Sequence, residues 1–281
     1  FKLDIQNKYK IEKILSKFKP IGIFNLAAET HVDRSIDNPK NFINSNILGV
    51  FSLLEAFRSY YKKNKKIKLI HISTDEVYGD VLSGRSKEND AYTPSSPYSA
   101  SKAASDHLVY SYVRTYKIPA IITNCSNNYG PRQHVEKLIP KIILYCYYNK
   151  KIPIYGTGKN IRDWIHVNDH CNAIFKVLKN GKKGSSYNIA GDNEVDNITI
   201  VEKILSIMNK PNDMIEYVKD RPGHDYRYSM NSSKIKKELG WSPEIKFEEG
   251  LTSTIQWYIN NKNWWKDISE ESIVPKWQKQ N

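Results

Sequence analysis

The sequence predicts an α/β protein, a doubly wound parallel sheet carrying a smaller mixed α/β substrate lobe. Three observations predict it. Short β-branched runs alternate with amphipathic segments over the first 130 residues, the pattern of parallel strands joined by helices. Residues fit for acid–base chemistry follow those runs directly, at the carboxyl edge where open parallel sheets take ligands. Beyond residue 130 the chain turns irregular, with Pro140, Pro153, Gly156, Gly158, Pro211, Pro222 and Pro243. Residues 1–130 are therefore expected to form the sheet domain. Residues 131–281 should form mainly the second lobe, with late elements of the first interleaved.

Taken in order, Phe1–Ile5 reads as a later element of such a domain, not its opening. Ile21–Leu26 is a compact apolar run closing on Ala27 and Ala28, expected as a buried strand with a turn at its end. Asn41–Ser59 is expected as one helix, apolar on more than one face through Phe42, Ile43, Ile47, Val50, Phe51, Leu53, Leu54 and Phe57. A helix of that kind needs cover from several neighbours, which suggests a subunit interface and a homodimer. Ile67–Ser73 is the next strand. The Pro/Ser-rich loop Tyr92–Pro97 feeds a helix from about Tyr98 to Tyr116, with Ser96 as cap and Pro97 in the first turn. Ile118–Thr123 is a further strand, running into Asn124–Gly130.

Composition narrows the class. The 281 residues are 40% hydrophobic and 12% aromatic, enough to bury a core and unlike a disordered chain. No run approaches the roughly 18 continuous apolar residues of a membrane span, and Phe1–Lys10 is too polar for a signal peptide. Cys125, Cys146 and Cys171 form no C-x-x-C pair, so packed free thiols in a reducing, cytoplasm-like compartment are expected. The net charge of +13 draws on clusters such as Lys62, Lys63, Lys65 and Lys66, or Lys150 and Lys151. These read as solvated loops and helix ends and belong to no nucleic-acid-binding module. A basic surface would also attract an anionic, diphosphate-bearing substrate.

Two constellations carry chemistry. In Tyr98-Ser99-Ala100-Ser101-Lys102, spacing by four puts phenol and ammonium on one helix face. The ammonium is expected to lower the phenol's pKa and let it act as a base. In Ser73-Thr74-Asp75-Glu76-Val77-Tyr78-Gly79, two adjacent acids end a strand. They can point into different surroundings, one kept protonated as acid and the other ionised as base. An elimination of water needs that pair. Asp163, His166, Asp169 and His170 lack the H-E-x-x-H arrangement, and no metal is expected there. A glycine-rich turn that would hold a dinucleotide pyrophosphate is missing. Either a βαβ unit of roughly 50 residues lies upstream, or the chain binds no dinucleotide; the rest of the sequence favours the first.

With these motifs in place, the chain resembles the extended short-chain dehydrogenase/reductase family in its nucleotide-sugar branch. The resemblance rests on Asn25–Ser35 (NLAAETHVDRS), Ser73–Gly79, Ser96–Lys102, Asn124–Pro131, Glu136–Pro140, Ile161–Trp164 and Asp220–Asp225, in order, and runs from Phe1 to about Trp265. It implies a Rossmann-like sheet, NAD as cofactor, and loss of water from a nucleotide-linked glucose (dTDP-glucose, or UDP-glucose as the alternative) by way of a 4-ketone. Thr74, Asp75, Glu76, Tyr98 and Lys102 then match the catalytic positions. Asp4, Ile5, Leu26, Ala27, Ala28, Thr30, Ser45, Tyr98, Lys102 and Asn128 match the cofactor's, with Ser45 where the family often has Thr. Thr30, Thr74, Asn127, Lys137, Leu138, Pro153, Tyr155, Arg162, Asn197, Arg221 and His224 match the substrate's. Arg162 would grip the diphosphate through paired donors, the other reading being an ion pair with Asp163. The competing functions are a 4-epimerase, which has no use for Asp75-Glu76, and a silent nucleotide-binding protein, favoured only by the absent glycine-rich turn.

Overall fold

The computed structural model describes residues 1–268. Along the chain, α1 (Lys8–Phe18) leads into β1 (Gly22–Asn25). Two short helices follow, α2 (Val32–Asp37) and α3 (Pro39–Phe42), then a π-helical turn (Ile43–Leu48) and α4 (Gly49–Lys63). β2 (Lys68–Thr74) ends in a 3-10 turn (Asp75–Tyr78), succeeded by α5 (Pro97–Tyr116) and β3 (Ala120–Cys125). The remainder holds β4 (Asn127–Tyr129), α6 (Leu138–Tyr147), β5 (Ile152–Tyr155), β6 (Ile161–His166), α7 (Val167–Asn180), β7 (Ser186–Ile189), β8 (Glu194–Asp196), α8 (Asn197–Ile207), β9 (Ile215–Val218), α9 (Ser233–Leu239) and α10 (Phe247–Asn260).

The main sheet is parallel in the order β1-β2-β3-β7. Its inner strands are apolar on both faces because both faces are covered. Leu69 and Ile122 face a core shared with Leu54 and Phe57 of α4 and Val109 of α5. Their neighbours Ile70 and Ile121 point the other way, onto Ile174 and Val177 of α7 and Trp241. A side chain buried to this degree contributes about 1.5–3 kcal/mol. β7 arrives from well past residue 130, so the chain returns to the first sheet after building part of the second lobe. That lobe has its own core around Ile139, Ile143, Val201, Leu251 and Tyr258. It also carries two small sheets, β4-β6-β8 and β5-β9.

Four local expectations are corrected. Ile21–Leu26 shortens to Gly22–Asn25, paired with β2, and Ile21 and Leu26 are exposed among the described residues. Asn41–Ser59 is not one regular helix, since the π-helical turn interrupts it and the helical path runs from Pro39 to Lys63. Phe1–Ile5 forms neither helix nor strand, only an approach to α1 whose turn is closed by Asp4 Oδ1 accepting from the Gln6 amide at 2.9 Å. Ile118–Thr123 shifts to Ala120–Cys125. The start of α5 matches the expectation in detail. Ser96 and Ser99 exchange side-chain-to-backbone bonds in a capping box, with Pro97 at the first helical position.

Candidate active site

β2 delivers Thr74 to the carboxyl edge of the sheet, and its side chain caps the 3-10 turn by accepting from the Glu76 amide at 3.3 Å. The turn closes on Gly79, which adopts φ +71°. A Cβ there would meet the Thr93 carbonyl oxygen at 2.1 Å, so glycine alone fits. Asp75 and Glu76 are thereby fixed in adjacent but different surroundings. Asp75 is buried; its Oδ1 accepts from the Thr74 hydroxyl at 3.0 Å, and its Oδ2 has no partner among the described residues. Burial first, and the neighbouring Glu76 charge second, push its carboxyl well above the usual carboxylate range. Burial raises Glu76 too, and the cations Arg221, Arg162 and Lys137 offset this only in part. The two acids therefore differ in what stabilises their charge.

The first turn of α5 brings Tyr98 against this edge. The expected Lys102 effect on its phenol is not what the structure shows. Lys102 donates from Nζ to the Ile72 carbonyl at 2.7 Å. Burial, followed by the Glu76 charge, holds the Tyr98 phenol well above its ordinary value; the opposing influence is a hydrogen bond with Thr74. Burial lowers Lys102, and the Asp106 carboxylate one turn along the helix raises it. Asp106 is itself fully buried, accepting from the Ser73 hydroxyl at 2.6 Å with His71 Nε2 3.2 Å away. Asn46, in the π-helical turn, bonds both the backbone N–H and the carbonyl of Glu29 (2.9 and 3.0 Å) and donates to Ser101 at 2.9 Å. It therefore ties the loop after β1 to the helix that bears Tyr98 and Lys102.

Two cavities meet here. The first, of about 420 Å³, runs along the carboxyl ends of β1, β2 and β3 and is lined by Leu26, Ala28, Thr30, Thr74, Asp75, Glu76, Tyr98, Lys102 and Asn128. The second is lined by Thr30, Asn127, Lys137, Leu138, Pro153, Tyr155, Arg162, Asn197, Arg221 and His224. Glu76, Thr30, Asn127, Lys137 and Leu138 line both. The second cavity gathers the cations Lys137, Lys141, Arg162 and Arg221, a setting for an anion such as a diphosphate. Arg162 is buried and donates to the carbonyls of Ile161 (2.8 Å) and Asp225 (2.9 Å), its guanidinium 4.1 Å from the Tyr228 ring centre. It makes no pair with Asp163, which accepts from the amides of Gly191 (2.8 Å) and Asn193 (2.6 Å).

Of the residues singled out in the sequence, Asp4, Ile5, Ala27 and Ser45 line neither cavity. Several lining residues were not singled out: Asp33, Tyr228, Lys141, Cys125 and Gln133. Asp33 is buried among the cations, accepting from the Tyr155 hydroxyl at 3.2 Å and lying 3.8 Å from Arg221. His170 and Asp169 bind protein groups, the ring to Asn128 and the carboxylate to the Ile245 amide.

An apolar floor of Leu26, Ile72 and Ile174 fits a flat heterocycle. The cation-rich cavity beside it fits a diphosphate. Together the parallel sheet, the Tyr98/Lys102 helix and the adjoining acids define an enzyme of the short-chain dehydrogenase/reductase type acting on a nucleotide-linked substrate. The model of the GDP-mannose 4,6 dehydratase family matches residues 1–254, and the chain belongs to that family. Within it the chain is 46% identical over 285 residues to a dTDP-glucose 4,6-dehydratase of Neisseria meningitidis, covering 95% of this chain and 80% of that relative. The structure of the dTDP-glucose 4,6-dehydratase of Bacillus anthracis, solved with NAD, superposes with a TM-score of 0.86 at 45% identity, covering 94% of this chain and 81% of that one. The Streptomyces venezuelae enzyme of the same name, also solved with NAD, gives 0.90 at 39% identity, covering 94% and 80%.

Proposed function

We propose that this protein is an NAD-dependent lyase that converts dTDP-glucose to dTDP-4-keto-6-deoxyglucose and water. The single observation that carries this reading is the placing of Asp75 and Glu76 in unlike surroundings where the two cavities meet. Leu26, Ala28, Thr30, Tyr98, Lys102 and Asn128 would hold NAD, which would supply the transient oxidation at C4 and the return of electrons at C6.

The chain's own groups handle protons. Tyr98, with Thr74 beside it and Lys102 one turn on, takes the proton of the C4 hydroxyl only after releasing its own phenol proton to solvent, a loss that burial opposes and the Thr74 hydrogen bond favours. The resulting 4-ketone acidifies the hydrogen on C5, which Glu76 removes; the cations of the neighbouring cavity favour its ionised form as a base. Asp75, whose burial favours its protonated form, donates that proton to the C6 hydroxyl so that it leaves as water. Glu76 then returns a proton to C5. Lys137, Arg162 and Arg221 orient the diphosphate, and Pro153, Tyr155, Asn197 and His224 line the rest of the nucleotide cavity.

The test is to supply the full-length protein with dTDP-glucose, and UDP-glucose in parallel, and measure 4-keto-6-deoxy product. Wild type should form it. Glu76→Gln should lose about 10²–10⁴-fold in turnover, and undiminished turnover would refute the assigned base. Faster reaction of UDP-glucose would reassign the nucleotide. Homodimerisation belongs to the same reading, supported by exposed Ile43, Leu48 and Phe51 on one stretch of helix. A monomer by sedimentation at micromolar concentration would count against it.

A further inference from the structure

Asp106 is fully buried in α5, one turn beyond Lys102, and lines neither cavity. Its Oδ2 accepts from the Ser73 hydroxyl at 2.6 Å, and its Oδ1 lies 3.2 Å from His71 Nε2. A carboxylate this deep is tolerated where an opposite charge answers it. The imidazole is not that charge. Asn25 Nδ2 is 3.1 Å from His71 Nδ1, and an amide nitrogen only donates, so Nδ1 is bare. Nε2 then holds the ring's single proton; burial, followed by the Lys102 charge, favours this neutral form.

Lys102 supplies the charge. Residues four apart share a helix face, and the two side chains reach neighbouring residues of β2. Lys102 donates from Nζ to the Ile72 carbonyl at 2.7 Å, beside the Ser73 hydroxyl held by Asp106. Burial lowers Lys102, and Asp106 is first among the charges that raise it. The other titratable groups around the ammonium are His71 of β2, Cys125 at the end of β3, and Tyr98, Asp75 and Glu76, which line the same cavity. Burial pushes the Cys125 thiol up to about 12 and holds the Tyr98 phenol well above its ordinary value, so neither is an anion at neutral pH. Asp75 and Glu76 feel Arg162, and Glu76 also Arg221 and Lys137. Asp106 remains as the counter-ion.

We propose that Asp106 is a positioning residue that acts through Lys102, as the buried counter-ion that keeps a fully protonated ammonium at the cofactor cavity. The inference rests on the NAD reading above and deepens it. An ammonium has three N–H groups; with one given to the Ile72 carbonyl, two remain for cofactor hydroxyls. A neutral amine keeps only one of those and loses the charge assistance.

The experiment follows NAD affinity of the nucleotide-free, full-length protein by calorimetry from about pH 6 to about pH 10, with no substrate and no turnover. Affinity should fall about 10–100-fold as the ammonium is lost, the range for charge-assisted hydrogen bonds. Removing the anion eases that loss, so in Asp106→Asn the fall should come about 1–3 pH units below that of wild type. Lys102→Met should bind weakly with no such fall, and adding Asp106→Asn to it should change affinity about 2-fold or less. An unmoved fall in folded Asp106→Asn, or a full further loss when it is added to Lys102→Met, would overturn the counter-ion and leave the cofactor reading intact. Should Asp106→Asn fail to fold by circular dichroism, the double variant, which buries neither charge alone, should fold; an unfolded double variant would also overturn the proposal. Failure of wild type to bind NAD at any pH would overturn both readings.

Discussion

At the scale of single residues, the active-site acids trade stability for chemistry. Asp75 sits above its unfolded value of 3.8 because burial and Glu76 disfavour its charge. A group raised in the folded state stabilises fully below its unfolded value and loses that contribution as pH climbs toward the folded one. Asp75→Asn removes the ionisable group. The variant should melt higher than wild type above about pH 5, where the unfolded carboxyl is ionised, with the gap closing toward pH 3. Each kcal/mol should appear as roughly 2–4 °C for a chain of this size, while dehydration falls at every pH. A scanning-calorimetry pH series checks this, and a gap between variant and wild type no wider at pH 8 than at pH 3 would contradict it. Residue types at this scale were legible where a motif held them together, as in Thr74-Asp75-Glu76. Asp33, Tyr228 and Asp106 were not, because a lone buried acid or phenol carries no spacing signal and its partners are far off in sequence. The phenol's raised pKa was also illegible. Helical spacing puts Lys102 near Tyr98 but cannot show that its ammonium is taken by the Ile72 carbonyl.

At the scale of elements, two devices hold the machinery in register. The Ser96–Ser99 capping box starts α5 one residue before Tyr98. Ser96→Ala should cost about 1 kcal/mol in urea unfolding and lower turnover as well, since fraying would displace the phenol. A stability loss with full activity would show that the cap serves the helix alone. The π-helical turn aims Asn46 at the loop after β1 and at Ser101 simultaneously. Asn46→Ala leaves the Glu29 N–H and carbonyl without that partner, about 1–3 kcal/mol if they stay dry, and should weaken NAD binding measured by calorimetry. The capping box was readable because Ser-Pro before an apolar-periodic run is a start signal with a mechanism. The π-helical turn was not, since one residue of slippage in the hydrogen-bond ladder leaves the apolar pattern of Asn41–Ser59 almost unchanged. Among the described residues β1 pairs with β2 alone, and a single strand's composition does not reveal how many neighbours it has.

At the scale of the whole molecule, charge is arranged with more precision than the total of +13 suggests. The lysine clusters noted in the sequence lie at the end of α4 and in the connections after α4 and α6, whereas Lys137, Lys141, Arg162 and Arg221 converge on one cavity. Arg221→Ala should raise KM for the nucleotide sugar about 10–100-fold, the loss of one charge-assisted contact, with a smaller change in kcat. Lys62→Ala should change neither. The KM of wild type should also rise with salt, and a salt-independent KM would place the cations outside the binding step.

The return of the chain to its first sheet has a consequence for synthesis. β3 is complete at residue 125, but the strand that covers its open side, β7, begins only at residue 186. Until those intervening residues have left the ribosome, Ile122, Asn124 and their neighbours present an unsatisfied strand edge able to pair with another nascent chain. A translation pause between them would lengthen that window of vulnerability, whereas one that comes after β7 has emerged from the ribosome would find the edge already sealed.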